Sequence, residues 1–331
     1  MDWNQKSVLV TGGTGSFGKM FIKLMQSQYQ AEKLIVYSRD ELKQYQMRTD
    51  GFNQENMRYF IGNVRDVSRL KRAMEGVDVV IHAAALKQVP ACEYNPMEAV
   101  KTNILGTSNV IDAALDVGVE KVLALSTDKA VNPINLYGAT KLSAEKLVVQ
   151  SNAYAGGKNT RLSCVRYGNV VGSRGSVVPV FIRQRNHNNL LTITDQRMTR
   201  FWLTLDQAVS FVIQATEKME GGEVFVPKIP SMKIMDLAQA VAPDAEIKVI
   251  GIRPGEKLHE VLISREESRA AVELKDMFVV QPLETFWFGG NWDEKGSAVE
   301  EGFKYSSDNN QKWLTQDEIK TMIKPFELIY Q

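Results

Sequence analysis

Four side chains able to hold or move a proton fall within one short stretch of this 331-residue chain. In STDKAVNPINLYGATK, residues 126–141, Asp128 and Lys129 are neighbours, and Tyr137 and Lys141 follow four residues apart. A spacing of four puts Tyr137 and Lys141 on one helical face, one turn apart. An ammonium beside a phenol favours phenolate and lowers its pKa from about 10, which makes a tyrosine a usable base. The adjacent acid and amine add a second donor and acceptor. Tyr-x-x-x-Lys alone is common on amphipathic helices, so the chemistry requires a cofactor site upstream.

The elements before this stretch supply one. Ser7 to Thr11 reads as a strand, GGTGSFG as a glycine turn and KMFIKLMQ as a helix. Gly13-x-Gly15-x-x-Gly18 matches the dinucleotide fingerprint, and Gly12-x-x-Gly15-x-x-Gly18 a variant spacing. Glycines let the turn close and let backbone N–H groups approach a pyrophosphate at the helix N-terminus. Gly12, Thr14, Gly15, Ser16, Phe17 and Gly18 are therefore cofactor candidates.

A second strand, Lys33 to Ser38, ends in Arg39 and Asp40, with Lys43 beyond. A hydroxyl and a guanidinium at this tip suit a 2′-phosphate and point to NADP. Asp40 could instead serve a ribose hydroxyl, but capping the following helix is the favoured reading. After the third strand (57–62), Asn63 and Val64 would lie beside the adenine. The fourth strand, VDVVIHAA, leads through Ala83 to Lys87, where ligands collect. His82 is expected to pack rather than react. Residues 95–118 read as one long helix, with Pro96 in its first turn and Asn103, unfavourable unless partnered, inside it. Strand five, Val122 to Ser126, delivers the proton-handling stretch, and Asn135 should cap the helix bearing Tyr137.

Strand–helix alternation through a sixth strand (162–167) implies an α/β fold: a doubly wound parallel Rossmann sheet with a smaller C-terminal α/β substrate lobe. Residues 1–168 form the cofactor domain, joined by returning segments. Residues 169–282 are mainly the lobe, and 283–331 a C-terminal extension. The segment RYGNVVGSRGSVVP suits a loop closing over a ligand. Short strands LLTIT, FWLTL and EVFVP belong to the lobe, and an amphipathic helix near the end suits a packing arm.

Composition narrows the class. A net charge of +1 offers no broad nucleic-acid or membrane footprint. There is no signal-type N-terminus and no long apolar run, so a cytoplasmic protein with no membrane contact is expected. Cys92 and Cys164 read as buried free thiols. His82, His187 and His259 lack metal-ligand spacing, and no metal site is expected.

TGGTGSFG together with YGATK resembles the extended short-chain dehydrogenase/reductase superfamily, whose members modify nucleotide sugars. Asp-Lys before the tyrosine, with HAAALKQVP, RYGNVVGSRGSVVP, ITDQRMTRFW, FVPKIPSMK and GIRPGEKLHE, is similar to the inverting UDP-N-acetylglucosamine 4,6-dehydratases. The resemblance covers about residues 5–282. Asn63 departs from it, since the family more often has Asp there.

The resemblance implies tightly bound NADP regenerated each cycle, UDP-N-acetylglucosamine as substrate, inversion at carbon 5, a place at the start of pseudaminic acid synthesis for flagellin glycosylation, and a homo-oligomer, often a hexamer. Tyr137, helped by Lys141, would take the 4-hydroxyl proton; Lys129 would be the base at carbon 5, Asp128 the acid at carbon 6, and Thr127 a partner of the 4-hydroxyl. Lys129 must then be neutral, with a lowered pKa, and Asp128 protonated, with a raised one. Lys87, Asn103, Asn169, Val178, Arg200, Arg253 and Glu256 are implied substrate contacts. Rival readings are a retaining dehydratase, whose relatives usually carry an N-terminal membrane region, a nucleotide-sugar 4-epimerase and a non-catalytic NADP-binding sensor.

Overall fold

The first strand sets the plan. β1 (Ser7–Thr11) is buried along its whole length. Leu9 joins one hydrophobic core, while Val8 and Val10 join another on the opposite face. A strand apolar on both faces is what a sheet covered by helices on both sides requires. The chain then runs α1 (Ser16–Leu24), β2 (Lys33–Ser38), α2 (Glu41–Thr49), β3 (Met57–Ile61), α3 (Val67–Met74), β4 (Val79–His82), α4 (Val89–Tyr94) and α5 (Pro96–Ala99). A π-helical run, Val100–Leu105, leads into α6 (Gly106–Val117), β5 (Lys121–Leu125), α7 (Leu136–Gln150) and β6 (Arg161–Val165). The computed structural model describes residues 1–172, 176–282 and 290–327.

Strands pair in parallel in the order β3-β2-β1-β4-β5-β6. The chain steps outward from β1 to β3 and then returns to the other side of β1 with β4. This reversal opens a crevice at the carboxyl ends of β1 and β4, where such sheets bind ligands.

The second half contains β7 (Asn169–Val170), α8 (Val177–Asn188), β8 (Leu190–Ile193), β9 (Thr199–Leu203), α9 (Leu205–Lys218), β10 (Val224–Pro227), β11 (Ser231–Lys233), α10 (Ile234–Val241) and β12 (Glu246–Val249). It ends with β13 (Val261–Ile263), β14 (Ala271–Glu273), β15 (Met277–Val280), β16 (Ser297–Ala298), β17 (Tyr305–Ser306) and α11 (Gln316–Glu327). β10 pairs parallel with β6, and β15, β14 and β16 continue antiparallel, completing a ten-stranded sheet. EVFVP, expected in the lobe, is thus a strand of the main sheet.

The lobe holds β8 with β12, and the three strands β11-β9-β7. Its own core gathers Phe181, Ile182, Trp202, Met232, Leu237, Ile319 and Ile323 from α8, β9, β11, α10 and α11. The C-terminal segment is therefore packed into the lobe through α11 and into the sheet through β16. Val178 lies fully buried in this core and does not line the cleft described below, so it is a packing residue and not a substrate contact. Of RYGNVVGSRGSVVP, residues 173–175 lie outside the described residues.

The helix expected over 95–118 is divided by its π-helical run. That run turns Asn103 inward, where it is 1% exposed. Asn103 Oδ1 accepts from Leu86 N at 2.8 Å; Nδ2 donates to Leu86 O at 2.9 Å and to Thr140 Oγ1 at 3.0 Å. Its amide is spent on the protein, and it also lies off the cleft wall. Asn103 is thus a clamp on the loop leading to Lys87, correcting its expected place against substrate. Cys92 and Cys164 are buried free thiols. His82 packs between Thr11 and Thr107 hydroxyls, at 2.8 and 3.1 Å. Among the described residues no helix is long and apolar enough to cross a membrane.

Candidate active site

A cleft of about 1080 Å³ runs along the carboxyl ends of β1 to β6 and under the lobe. One half has the form of a dinucleotide cradle. Gly12 has φ +67°, and a Cβ there would sit 3.0 Å from Ala84 Cα, so only glycine lets this turn pass so close. Gly15 caps α1 without a side chain, leaving first-turn N–H groups for an anion. Thr14, Ser16, Phe17 and Gly18 line the same wall. A pyrophosphate-bearing cofactor fits this cradle.

At the tip of β2, Asp40 Oδ1 accepts from Lys43 N at 3.0 Å, and its Oδ2 lies 2.6 Å from Lys43 Nζ. Asp40 therefore caps α2, and the Lys43 contacts hold its carboxyl below the ordinary range. Both residues are committed to each other. Ser38 is buried, its Oγ accepting from Gln44. Arg39 is exposed on the cleft wall and has no ion pair among the described residues. Asn63 Oδ1 accepts from Arg65 N at 3.1 Å, so one lone pair of its carbonyl is already used. Val64 and Ala83 complete this side.

The proton-handling residues meet beyond β5. Thr127 caps a 3-10 turn, Asp128–Ala130, its Oγ1 accepting from Lys129 N. It also donates to Asp128 Oδ1 at 2.8 Å. The turn folds Lys129 back, so that Nζ lies 3.1 Å from Asp128 Oδ1 and 3.3 Å from Glu260 Oε1. Asn135 caps α7 by accepting from Gly138 N. Gly138 is required by proximity, because a Cβ there would collide with the Lys129 carbonyl. Tyr137, Lys141 and Lys87 line the same part of the cleft.

The charges differ from the expectation at two positions. Burial pushes Tyr137 up to about 12, opposed mainly by the positive charge of Lys129. Burial also lowers Lys141, and the expected depression of the phenol by Lys141 is not among the main influences on Tyr137. For Lys129, burial favours the neutral amine, but Asp128 and Glu260 outweigh it and raise the pKa above that of an ordinary lysine. The expected neutral lysine is thus an ammonium at rest. Asp128 behaves as expected: burial raises its pKa, and Lys129 only partly offsets this. Lys87 is lowered by partial burial and then by Lys129.

The lobe closes the far wall with residues 253–260. Asn135 Nδ2 donates to Gly255 O at 2.7 Å, and Lys257 Nζ donates to Val131 O at 2.5 Å, tying this loop to the stretch after Lys129. Arg200 lines the cleft but spends its terminal nitrogens on the carbonyls of Thr199, Leu258 and Lys257. Arg253 is exposed at the mouth, and its N–H donates to Glu256 Oε2. Asn169 Oδ1 is buried on the wall without a partner among the described residues, as are Asp128 Oδ2 and Glu260 Oε2.

Glu260 and Lys257 are site residues that sequence reading passed over. Both stand in GIRPGEKLHE, but nothing in that string says that Glu260 points back across the cleft to Lys129.

Residues 8–282 match the family described as polysaccharide biosynthesis protein. The chain is 54% identical over 332 residues to a protein of Campylobacter jejuni subsp. jejuni serotype O:2 named UDP-N-acetylglucosamine 4,6-dehydratase (inverting), covering 98% of this chain and 99% of that one. It is 40% identical to a Rickettsia conorii protein named UDP-glucose 4-epimerase, covering 98% and 97%. The X-ray structure of Pen from Bacillus thuringiensis superimposes with a TM-score of 0.90 at 39% identity, covering 99% of this chain and 100% of that one. The chain belongs to the polysaccharide biosynthesis protein family.

Proposed function

We propose that this member of the polysaccharide biosynthesis protein family is an NADP-dependent hydro-lyase that removes water from UDP-N-acetylglucosamine across carbons 5 and 6, with inversion at carbon 5. The observation that carries this reading is the Asp128–Lys129 pair, folded together at the mouth of β5 in the cleft that Tyr137 also lines. Hydride transfer alone would need Tyr137 and not a second acid–base pair. The full-length likeness to an enzyme named for this reaction supports it.

The cradle at Gly12 and Gly15 would hold the cofactor pyrophosphate, with Arg39 on a 2′-phosphate. NADP, when bound, would supply a reversible hydride acceptor and a positive ring that favours ionised Tyr137. Tyr137 takes the 4-hydroxyl proton, with Thr127 holding that oxygen. The resulting ketone acidifies the carbon-5 hydrogen, which Lys129 Nζ removes as the neutral amine, formed when the resting ammonium has lost a proton to solvent. Asp128, kept protonated by burial, gives its proton to the departing 6-hydroxyl. Arg253, exposed at the mouth, meets the diphosphate, and Glu256 the ribose hydroxyls. Asn169, with a buried acceptor unpartnered, and Lys87 face the sugar. Residues 169–282 thus act mainly as the substrate lobe. The product would enter pseudaminic acid synthesis in the cytoplasm, made by a homo-oligomer, a hexamer by resemblance.

The likeness to a UDP-glucose 4-epimerase favours one second reading, in which the ketone is reduced again at carbon 4 without loss of water. Mass spectrometry of the product from UDP-N-acetylglucosamine separates the two. Loss of one water supports the dehydratase; a product of unchanged mass supports the epimerase.

A further inference from the structure

The Lys129 amine is held by two carboxyl groups, and only one of them belongs to its neighbour in sequence. The other comes from Glu260, immediately before β13, which is 2% exposed. Glu260 Oε1 lies 3.3 Å from Lys129 Nζ and 3.9 Å from Arg200 Nε, while Oε2 is buried without a partner. Its backbone is fixed independently: its N–H donates to Ser307 Oγ at 2.9 Å and its carbonyl accepts from Ser307 N at 2.8 Å. The carboxylate is thus built into a rigid wall and aimed at one amine. A carboxylate buried this deeply is costly unless its charge has a partner.

We propose that Glu260 is a positioning residue, which fixes the Lys129 amine beside Asp128 and supplies the counter-charge for the ammonium formed when Lys129 takes a proton. The proposal rests on the dehydratase reading for the identity of that proton. In that step the carbon–hydrogen bond at carbon 5 breaks, and its electron pair delocalises onto the 4-keto oxygen. The resting ammonium first loses a proton to solvent; the carbon-5 proton then bonds to the freed Nζ lone pair, and no oxidant or reductant is needed. The ammonium forms against a fixed negative charge, which needs no rearrangement in the step. The other charged or titratable groups that face Lys129 are Asp128 on its own turn, Tyr137 on α7, Lys87 after β4, Arg200 on β9 and Lys257 on the loop before Glu260.

The test is competitive acetylation of the full chain with acetic anhydride, without substrate, reading Lys129 by mass spectrometry across pH. Glu260→Gln keeps the shape and removes the charge. The labelling curve of Lys129 should move to lower pH by about one unit or more, a tenfold rise in reactive amine at fixed pH. In turnover, the pH limb belonging to the base should move the same way, with a lower kcat plateau and little change in KM. Glu260→Met makes the same comparison if the Gln variant does not fold. An unchanged labelling curve in a folded variant overturns the proposal. Because labelling uses no substrate, a wild-type chain that performs no dehydration would sink the dehydratase reading and leave this result standing.

Discussion

Lys129 closes back on Asp128, with Nζ 3.1 Å from Oδ1, although the two are consecutive in the chain. The 3-10 turn capped by Thr127 makes this possible, by bending the backbone as it leaves β5. An acid and an amine then share one charge at the point where the sheet delivers its ligands. In the proposed reaction, this pair is what expelling water needs beyond moving hydride.

Lys129→Ala should bind NADP as the wild type does and lose water elimination, because the amine proposed to remove the carbon-5 proton is gone. Loss of a positioned general base costs about 10²–10⁴-fold in rate. Cofactor titration by fluorescence and product analysis would check both halves. Full dehydration by this variant would remove Lys129 from its role.

Cofactor choice should depend on Arg39. Asp40 and Lys43 neutralise each other, so Arg39 is the cation available at the tip of β2. Arg39→Ala should weaken NADP about ten-fold or more, the size of a lost charged hydrogen bond, and leave NAD almost unchanged. Equal effects on the two cofactors, measured by calorimetry, would contradict a 2′-phosphate contact.

Asn103→Ala should destabilise the fold. It removes three hydrogen bonds, two of them to the half-buried backbone of Leu86 and one to the buried Thr140 hydroxyl. The expected cost is about 2–3 kcal/mol, read from urea unfolding. A variant as stable as the wild type would show that the clamp is dispensable.

Acid sensitivity should trace to His82. Burial, and secondarily Lys141, lowers its pKa from 6.5 to about 3. The unfolded chain then binds a proton that the folded chain refuses. Stability from this residue is complete above pH 6.5 and is lost as pH falls toward 3, by about 1.4 kcal/mol per pH unit. His82→Gln should flatten that slope in unfolding free energies measured between those limits. An unaltered slope would assign the acid sensitivity elsewhere.

The glycine turn and the strand pattern could be read from the residues because both are local. A cradle for phosphate needs glycine at fixed offsets after a strand, and β1 is apolar on both faces. The caps at Asp40 and Asn135 were legible for the same reason. What was not legible depends on approach through space. Val178 and Asn103 sit where an apolar or polar letter alone does not tell the buried face from the cleft face. The π-helical run that turns Asn103 inward leaves no periodic mark over so few residues. The ionisation of Lys129 depends on Glu260, which arrives from the far end of the lobe. Desolvation alone predicts a neutral lysine; Asp128 and Glu260 together reverse the sign.

The most direct test of the account is NMR of the product formed from UDP-N-acetylglucosamine in deuterated water. It predicts a 4-keto-6-deoxy sugar nucleotide, with deuterium at carbon 5 and the configuration there inverted. A product that retains its 6-hydroxyl would contradict the role given to Asp128 and Lys129.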